Sequence, residues 1–351
     1  MPSSSQMPLP TRLVRPAAAH DLPQMIALIR ALGSGMTTMP GDADALAAKI
    51  DCSEQSFAGR AKSDLQYVLV LEDEKGRLRG TSAVYPRIGD SHGFFSYKLT
   101  RLVQRSKLLE RRTDLELLTL NNDYTGATEV GSLAVAPSQR GTGAGRLMAR
   151  ARYMLIASFP HLFAETVIAE MRGWQDENSR SPFWDAIGAR FFDLPFENAD
   201  RLSAVEGVGF IAELMPKHPI YTALLPDTAR AAIGKPHRES VKAMAMLLAE
   251  DFRYDGHVDV FDGGPQIYIA RDKIRTVMDS RPARVGRCGP ERPAVPLLLS
   301  NTLLEHFRVV ETEACVEDGA AILSPRTQRA LNVQIGDTVR VAPGQRARAP
   351  A

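Results

Sequence analysis

Three cysteines in 351 residues, Cys52, Cys288 and Cys315, are too few and too scattered for a disulfide framework or a thiolate metal cluster. A reducing compartment and no metal site are the corresponding expectations. A surplus of charge is equally absent. Against 43 Lys and Arg stand 41 Asp and Glu, so the formal net charge of +2 offers no overall field to gather nucleic acid or an anionic membrane. Any anionic ligand must be held locally. No apolar run approaches the roughly 18 residues of a membrane span. Met1 to Thr11 is rich in Ser and Pro but has no basic stretch followed by an apolar one, as a secretory leader would. These absences point to a cytoplasmic protein. What is present is ordinary for a globular chain, with 44% hydrophobic and 24% charged residues. The length exceeds what one core usually organises, which predicts two units or one large unit with an appendage.

Along the chain, Asp21 and Gln24 have capping-box spacing, and Met25, Ile26, Ile29 and Leu32 follow at helical intervals, so a helix is expected from about Asp21 until Gly33 stops it. Residues 33–41 hold three glycines and a proline and read as loop. The β-rich runs Tyr67 to Leu71 and Gly80 to Tyr85 flank Glu74-Lys75-Gly76 as the two arms of an antiparallel hairpin. Arg101 to Arg112 carries five cations on an expected helix, read as a solvated face. Glu129 to Val135 is a further strand, and Thr166 to Met171 another, followed by helical stretches around Phe183 to Ala189 and Glu239 to Asp251. The triplet Ile168-Ala169-Glu170 recurs at Ile211-Ala212-Glu213, a faint sign of duplication. Residues 281–296 hold four prolines and two glycines and read as a linker to a small all-β appendage.

Between the strand Glu129 to Val135 and a helix with apolar positions Leu147, Met148, Ala151, Leu155 and Phe159 lies Arg140-Gly141-Thr142-Gly143-Ala144-Gly145. A strand, a glycine turn and a helix in that order leave backbone N–H groups at the positive end of the helix. They can cradle a pyrophosphate without side-chain charge. The glycines fall at alternate positions and no early βαβ unit surrounds them, so the turn is not the dinucleotide fingerprint. Arg146 and Leu147 follow Gly145, so it is not a P-loop either.

In spacing and context the turn resembles the Arg-x-x-Gly-x-Gly turn of the GNAT superfamily of acyl-CoA N-acyltransferases. Longer segments sharpen the likeness: Asn122 to Gly126, Ala169-Glu170-Met171-Arg172-Gly173, Ser181-Pro182-Phe183-Trp184, Ile211 to Tyr221 and Phe261-Asp262-Gly263-Gly264-Pro265. Over Leu13 to Ser280 they resemble arginine N-succinyltransferases. The resemblance implies a mixed-sheet α/β (α+β) GNAT-like fold, extended or partly duplicated. Residues 1–205 would be the acyl-CoA-binding domain, 206–280 a second α/β part with the catalytic residue, 281–296 the linker and 297–351 the appendage. It also implies transfer of succinyl from succinyl-CoA to the α-amine of L-arginine in arginine catabolism, with succinyl-CoA as co-substrate and no permanently bound cofactor. The assembly would be a homo-oligomer or a hetero-oligomer with a related subunit. Ornithine or another amine as acceptor, or a non-catalytic CoA-binding subunit, are the alternatives.

Carried over residue by residue, the resemblance places the acyl-CoA main-chain contact at Leu133, with Val135 in the same strand. The phosphate cradle falls on Arg140, Gly141, Thr142, Gly143, Ala144 and Gly145, and the catalytic histidine on His237. An imidazole with a pKa of about 6.5 can take a proton from the attacking ammonium or give one to the departing thiolate. His218 is the alternative among the other histidines. Direct attack by the neutral amine needs a donor for the tetrahedral oxyanion but no enzyme nucleophile. Recognition of arginine calls for carboxylates, and Glu170, Glu213 and Asp262 are open candidates.

Overall fold

The run Tyr67-Val68-Leu69-Val70-Leu71 is apolar at every position because its strand is covered on both faces. A computed structural model describes residues 12–32, 39, 42–199, 202, 213–287 and 293–344. Within them, β1 (Leu13–Pro16), β2 (Tyr67–Glu72), β3 (Leu78–Tyr85), β6 (Thr128–Val135) and β7 (Thr166–Glu170) lie side by side in the middle of one sheet. Between β3 and β6 the chain makes β4 (Ser96–Ser106) and β5 (Arg111–Asn121). Two helices, α1 (Leu22–Leu32) and α2 (Ala43–Phe57), cover one face, where Met25, Ile29, Leu46 and Ile50 meet Val68 and Val70. The opposite face, with Leu69, Leu71, Val84, Val130 and Val167, is covered by α3 (Ala144–Ser158) through Leu147, Met148, Ala151 and Leu155. The apolar spacing read in the sequence is therefore the buried stripe of α3.

Beyond β7 the sheet continues through β10 (Pro265–Ala270) and β9 (Arg253–Asp259) to β4, β5 and the short β8 (Ile220–Tyr221). It joins strands from both sides of the boundary expected at 205/206, since β10 pairs with β7 and β9 with β4. On the other side β13 (Val309–Glu317) joins β1 and pairs with β12 (Val295–Asn301) and β14 (Ala320–Ile322). With β11 (Arg281–Gly286) and β15 (Thr338–Pro343) these strands close on themselves.

Four expectations need correction. Residues 101–112 are not a helix but the arms and turn of the β4–β5 hairpin, paired from Ser96↔Asn121 to Ser106↔Arg111. Leu99 lies opposite Leu118 and Leu102 opposite Leu115, Arg101 is ion-paired with Asp114 across the ladder, and Glu110 turns the chain at φ 48°. Cross-strand pairs of this kind outweigh the helix propensity of scattered cations. The capping box at Asp21 and Gln24 does not form. Asp21 is fully buried, takes a two-point bond from Arg15 (2.7 and 2.9 Å) and accepts from Ala18 N (2.9 Å), a charge-assisted arrangement stronger than a neutral cap. Gln24 instead bridges to Gly76 O and Leu78 N on the β2–β3 hairpin.

Residues 281–296 are strand at both ends. Pro282 pairs with β15 before β14 joins at Arg284, and Pro296 pairs with β13 before β15 joins at Leu297. The missing N–H of Pro282 thus falls on an open edge, where a proline is tolerated, and Pro296 sits where β15 ends, its carbonyl accepting from Gly344 N (2.8 Å). The appendage also carries one helix, Pro325–Leu331, capped by Ser324 and ended by Asn332 in the left-handed conformation. Ile211, Ala212, Cys288 and, apart from Met39, the loop 33–41 lie outside the described residues, so of the repeat expected at 211–213 only Glu213 is described. No helix among the described residues is long and apolar enough to cross a membrane.

Candidate active site

Strands β6 and β7 are parallel neighbours for two residues only, Thr128↔Val167 and Glu129↔Ile168. Beyond Glu129, β6 stays with β3 but with a register shift: Ala83 faces Gly131 while Thr81 faces Ala134. One extra residue is therefore accommodated on β6, and Ser132 adopts φ 53°. Such a bulge bends a strand and deepens its twist. It opens a cleft between β6 and β7 whose one lip is the β7-facing edge of Gly131 to Val135. Leu133 has no register partner on β3, Val135 is opposite Gly80, and both are half-buried against the α3 core. An amide-bearing chain can add to this edge as a further strand.

At the end of β6, Gly141 (φ 81°) and Gly143 (φ 88°) take the left-handed conformation, and Gly143 is the N-cap of α3 without a side-chain cap. A Cβ at either position would meet nothing within 4 Å. The first bond of α3 runs from Leu147 N to Gly143 O, so the amides of Ala144, Gly145 and Arg146 are the orphan donors of the helix start. Thr142 serves the turn itself, its hydroxyl donating to Gln139 O (2.7 Å) and its carbonyl accepting from Arg12 Nη1 (2.9 Å). Ala144 is buried and offers only its N–H, whereas the Arg140 guanidinium is exposed with no partner among the described residues. The turn thus presents mostly main chain, and Arg12, which the sequence did not single out, tethers it.

The other lip is built from three segments that the sequence resemblance had picked out separately. His237 N donates to Arg172 O (2.7 Å), Gly234 N to Gly263 O (2.8 Å), Met171 N to Pro265 O (3.0 Å) and Gly173 N to Asp262 Oδ2 (2.6 Å). A Cβ on Gly173 would sit 2.4 Å from Asp262 O, and one on Gly264 2.1 Å from Met171 O, so only glycine lets these backbones approach. Replacing Gly173 with alanine is expected to destabilise the fold by about 2 kcal/mol or more, read from denaturant melts, because the neighbour is rigid backbone. Four residues past His237 the helix Val241–Leu248 begins, and its Met246 lies against Gly145, which brings the histidine segment to the glycine turn.

His237 is 8% exposed. Its Nδ1 accepts from Glu239 N (3.3 Å), and Nε2 has no hydrogen-bond partner among the described residues. The neutral ring therefore carries its proton on Nε2. Burial and the nearby Arg172 guanidinium hold its pKa below the ordinary value, against the opposing pull of Glu239. The alternative, His218, is exposed. His257 is buried with both ring nitrogens engaged, by Asp255 (2.7 Å) and Asp123 (3.2 Å), and has no free atom for chemistry.

Of the three candidate carboxylates, Glu213 is exposed and Asp262 is consumed by the amides of Gly173 and Gly264. Glu170, half-buried at the end of β7, accepts from Gln266 Nε2 (2.6 Å) through Oε1 only. Burial and then the charges of Asp259 and Glu129 lift its pKa well above the usual carboxylate range. Burial does the same to Glu129 on β6, opposed by Lys49 and Arg152. Nothing in the sequence marked Glu129 or Arg152, since each reads as an ordinary residue of its strand or helix.

The chain is matched over residues 12–276 by a model of the arginine N-succinyltransferase beta subunit and over 283–343 by one of that subunit's C-terminal domain. It is 39% identical over 332 residues to the arginine N-succinyltransferase subunit beta of Pseudomonas aeruginosa, covering 94% of this chain and 98% of that one. It is 37% identical to the arginine N-succinyltransferase of Salmonella paratyphi B, over 94% and 97% of the two chains. Among solved structures, subunit AI of arginine/ornithine succinyltransferase from Pseudomonas aeruginosa superposes with a TM-score of 0.84 at 34% identity, covering 95% of this chain and 99% of that one.

Proposed function

The chain belongs to the arginine N-succinyltransferase beta-subunit family and is an acyltransferase with a GNAT-like mixed sheet, and from that premise we propose how its cleft works. Succinyl-CoA lies between β6 and β7, its pantetheine on the edge at Leu133 and Val135 and its pyrophosphate on the amides of the turn Gly141 to Gly145, with Arg140 free to pair with phosphate. L-Arginine attacks the thioester carbon directly through its neutral α-amine. The C–N bond forms, an oxyanion develops on the former carbonyl oxygen, and collapse breaks the C–S bond. The amine's proton passes to solvent and the CoA sulfur departs as the thiolate. The observation that carries the reading is the opened β6 edge with the glycine turn beyond it and His237 held on the facing lip.

The engaged Nδ1 of His237 supports a role on the donor side of the reaction. Its Nε2–H stabilises the oxyanion or the departing sulfur, and it does not begin as a base. Glu170 is the carboxylate left to meet a cation of the acceptor. Because burial and then its negative neighbours raise the pKa of its carboxyl, a cation bound there favours ionisation, and acceptor affinity should rise with pH through its titration. Glu170→Gln is expected to raise the KM for arginine about tenfold or more and leave succinyl-CoA affinity unchanged, as steady-state kinetics will read.

Both Pseudomonas aeruginosa relatives are subunits by name, and one is named for ornithine beside arginine. Ornithine as a second acceptor, and assembly with a related subunit, fit that pattern; the reading places the enzyme in the cytoplasm. Product analysis tests the reading. Mass spectrometry and NMR of the product from succinyl-CoA and arginine should place succinyl on the α-nitrogen, and transfer to the guanidinium or no transfer would overturn it.

A further inference from the structure

The least expected side chain near the cleft is Arg152. It lies in α3 among Met148, Ala151 and Leu155, is 2% exposed, and forms no ion pair with a carboxylate among the described residues. A buried guanidinium is costly unless its N–H groups find acceptors. Here Nη1 donates to Gly131 O and Nε to Ala149 O, both at 3.3 Å, with Glu129 and Glu250 supplying an attractive field.

Gly131 is the residue at which the β6 register breaks. The bulge shifts the ladder by one residue there, and its half-buried carbonyl takes a donor from outside the ladder. Arg152 supplies it from the α3 side. From the α2 side, Tyr85 OH meets Ser132 Oγ at 2.8 Å, and Lys49 Nζ stands 4.7 Å from the Tyr85 ring. The bulge is clamped from both faces of the sheet. A methionine at 152 would fill much the same space, so what the guanidinium adds is the bond to the bulge.

Resting on the reading that the acyl donor adds to β6, we propose that Arg152 is a positioning residue for the acyl-CoA. By holding Gly131 O it keeps the extra residue in β6, and so keeps the edge at Leu133 turned away from β7 and open to the pantetheine amides. It touches neither substrate nor reacting atoms. Its effect is on donor binding, not on the chemical step or on arginine.

Calorimetry with succinyl-CoA, steady-state kinetics and thermal melts on wild type, Arg152→Met and Arg152→Lys test this. In Arg152→Met, the succinyl-CoA dissociation constant should rise about tenfold, with kcat at saturating donor and the KM for arginine within about twofold of wild type. Arg152→Lys, which keeps one cationic donor, should fall between the two. If Arg152→Met does not fold, Arg152→Lys decides alone: weakened donor binding with unchanged arginine KM supports the proposal. Wild-type donor affinity in either folded variant, even with a lowered melting temperature, would make Arg152 a purely structural residue and overturn it. Failure of the wild-type protein to bind succinyl-CoA would instead remove the donor reading itself, and this proposal with it.

Discussion

His237→Ala should lower kcat by about 10²-fold or more while leaving the dissociation constant for succinyl-CoA within about twofold, since a positioned donor acts on the transition state and not on the bound ground state. The comparison of His237→Gln with His237→Asn is sharper. The Gln amide can place an N–H near the position of Nε2, whereas Asn reaches only to that of Nδ1. Because Nδ1 is occupied by Glu239 N, Gln should retain more activity than Asn. The pH profile carries a matching sign. His237 has a pKa below the ordinary 6.5, so the neutral ring prevails through neutral pH. Activity should therefore fall on the acid side as the ring becomes charged and loses its Glu239 bond, and that limb should be missing from His237→Gln. An acid limb that rises as pH drops would assign the work to the imidazolium instead.

Gly143→Val should raise the KM for succinyl-CoA by about 10²-fold with kcat at saturating donor nearly unchanged. Two causes add. A residue with a Cβ at φ 88° is strained by about 1–2 kcal/mol, and a β-branched one is worst placed there. The Cβ would also enter space that no protein atom occupies within 4 Å, which is where a pyrophosphate must approach the amides at the start of α3. Strain alone would lower stability without moving the donor KM, so melting curves beside the kinetics separate the two.

The glycine turn between β6 and α3 was legible in the sequence because its logic is local: a strand, two glycines that need positive φ and an amphipathic helix. The β2–β3 hairpin was legible for the same reason. His237 was reached only through family likeness, since seven histidines offer no local distinction; burial and partners separate it from His218 and His257 only once the chain is folded. The β4–β5 hairpin was misread because its cations also suit a helix, and what decides between the two is the partner strand that follows in the chain. Nor could the bulge at Ser132 be read, because it exists only in the register of β6 against β3. Arg152 and Glu129 depend on that register in turn. Prolines at 282 and 296 suggested a linker, but whether a proline ends a strand or sits on its open edge is set by which neighbours arrive.

The most direct test of the central claim is release of free thiol by the purified chain supplied with succinyl-CoA or acetyl-CoA and, in parallel, arginine, ornithine, lysine or putrescine. Thiol release that requires succinyl-CoA together with arginine is the predicted result. Silence with every pair, from a folded protein, would contradict the account and leave a CoA-binding subunit without catalysis of its own.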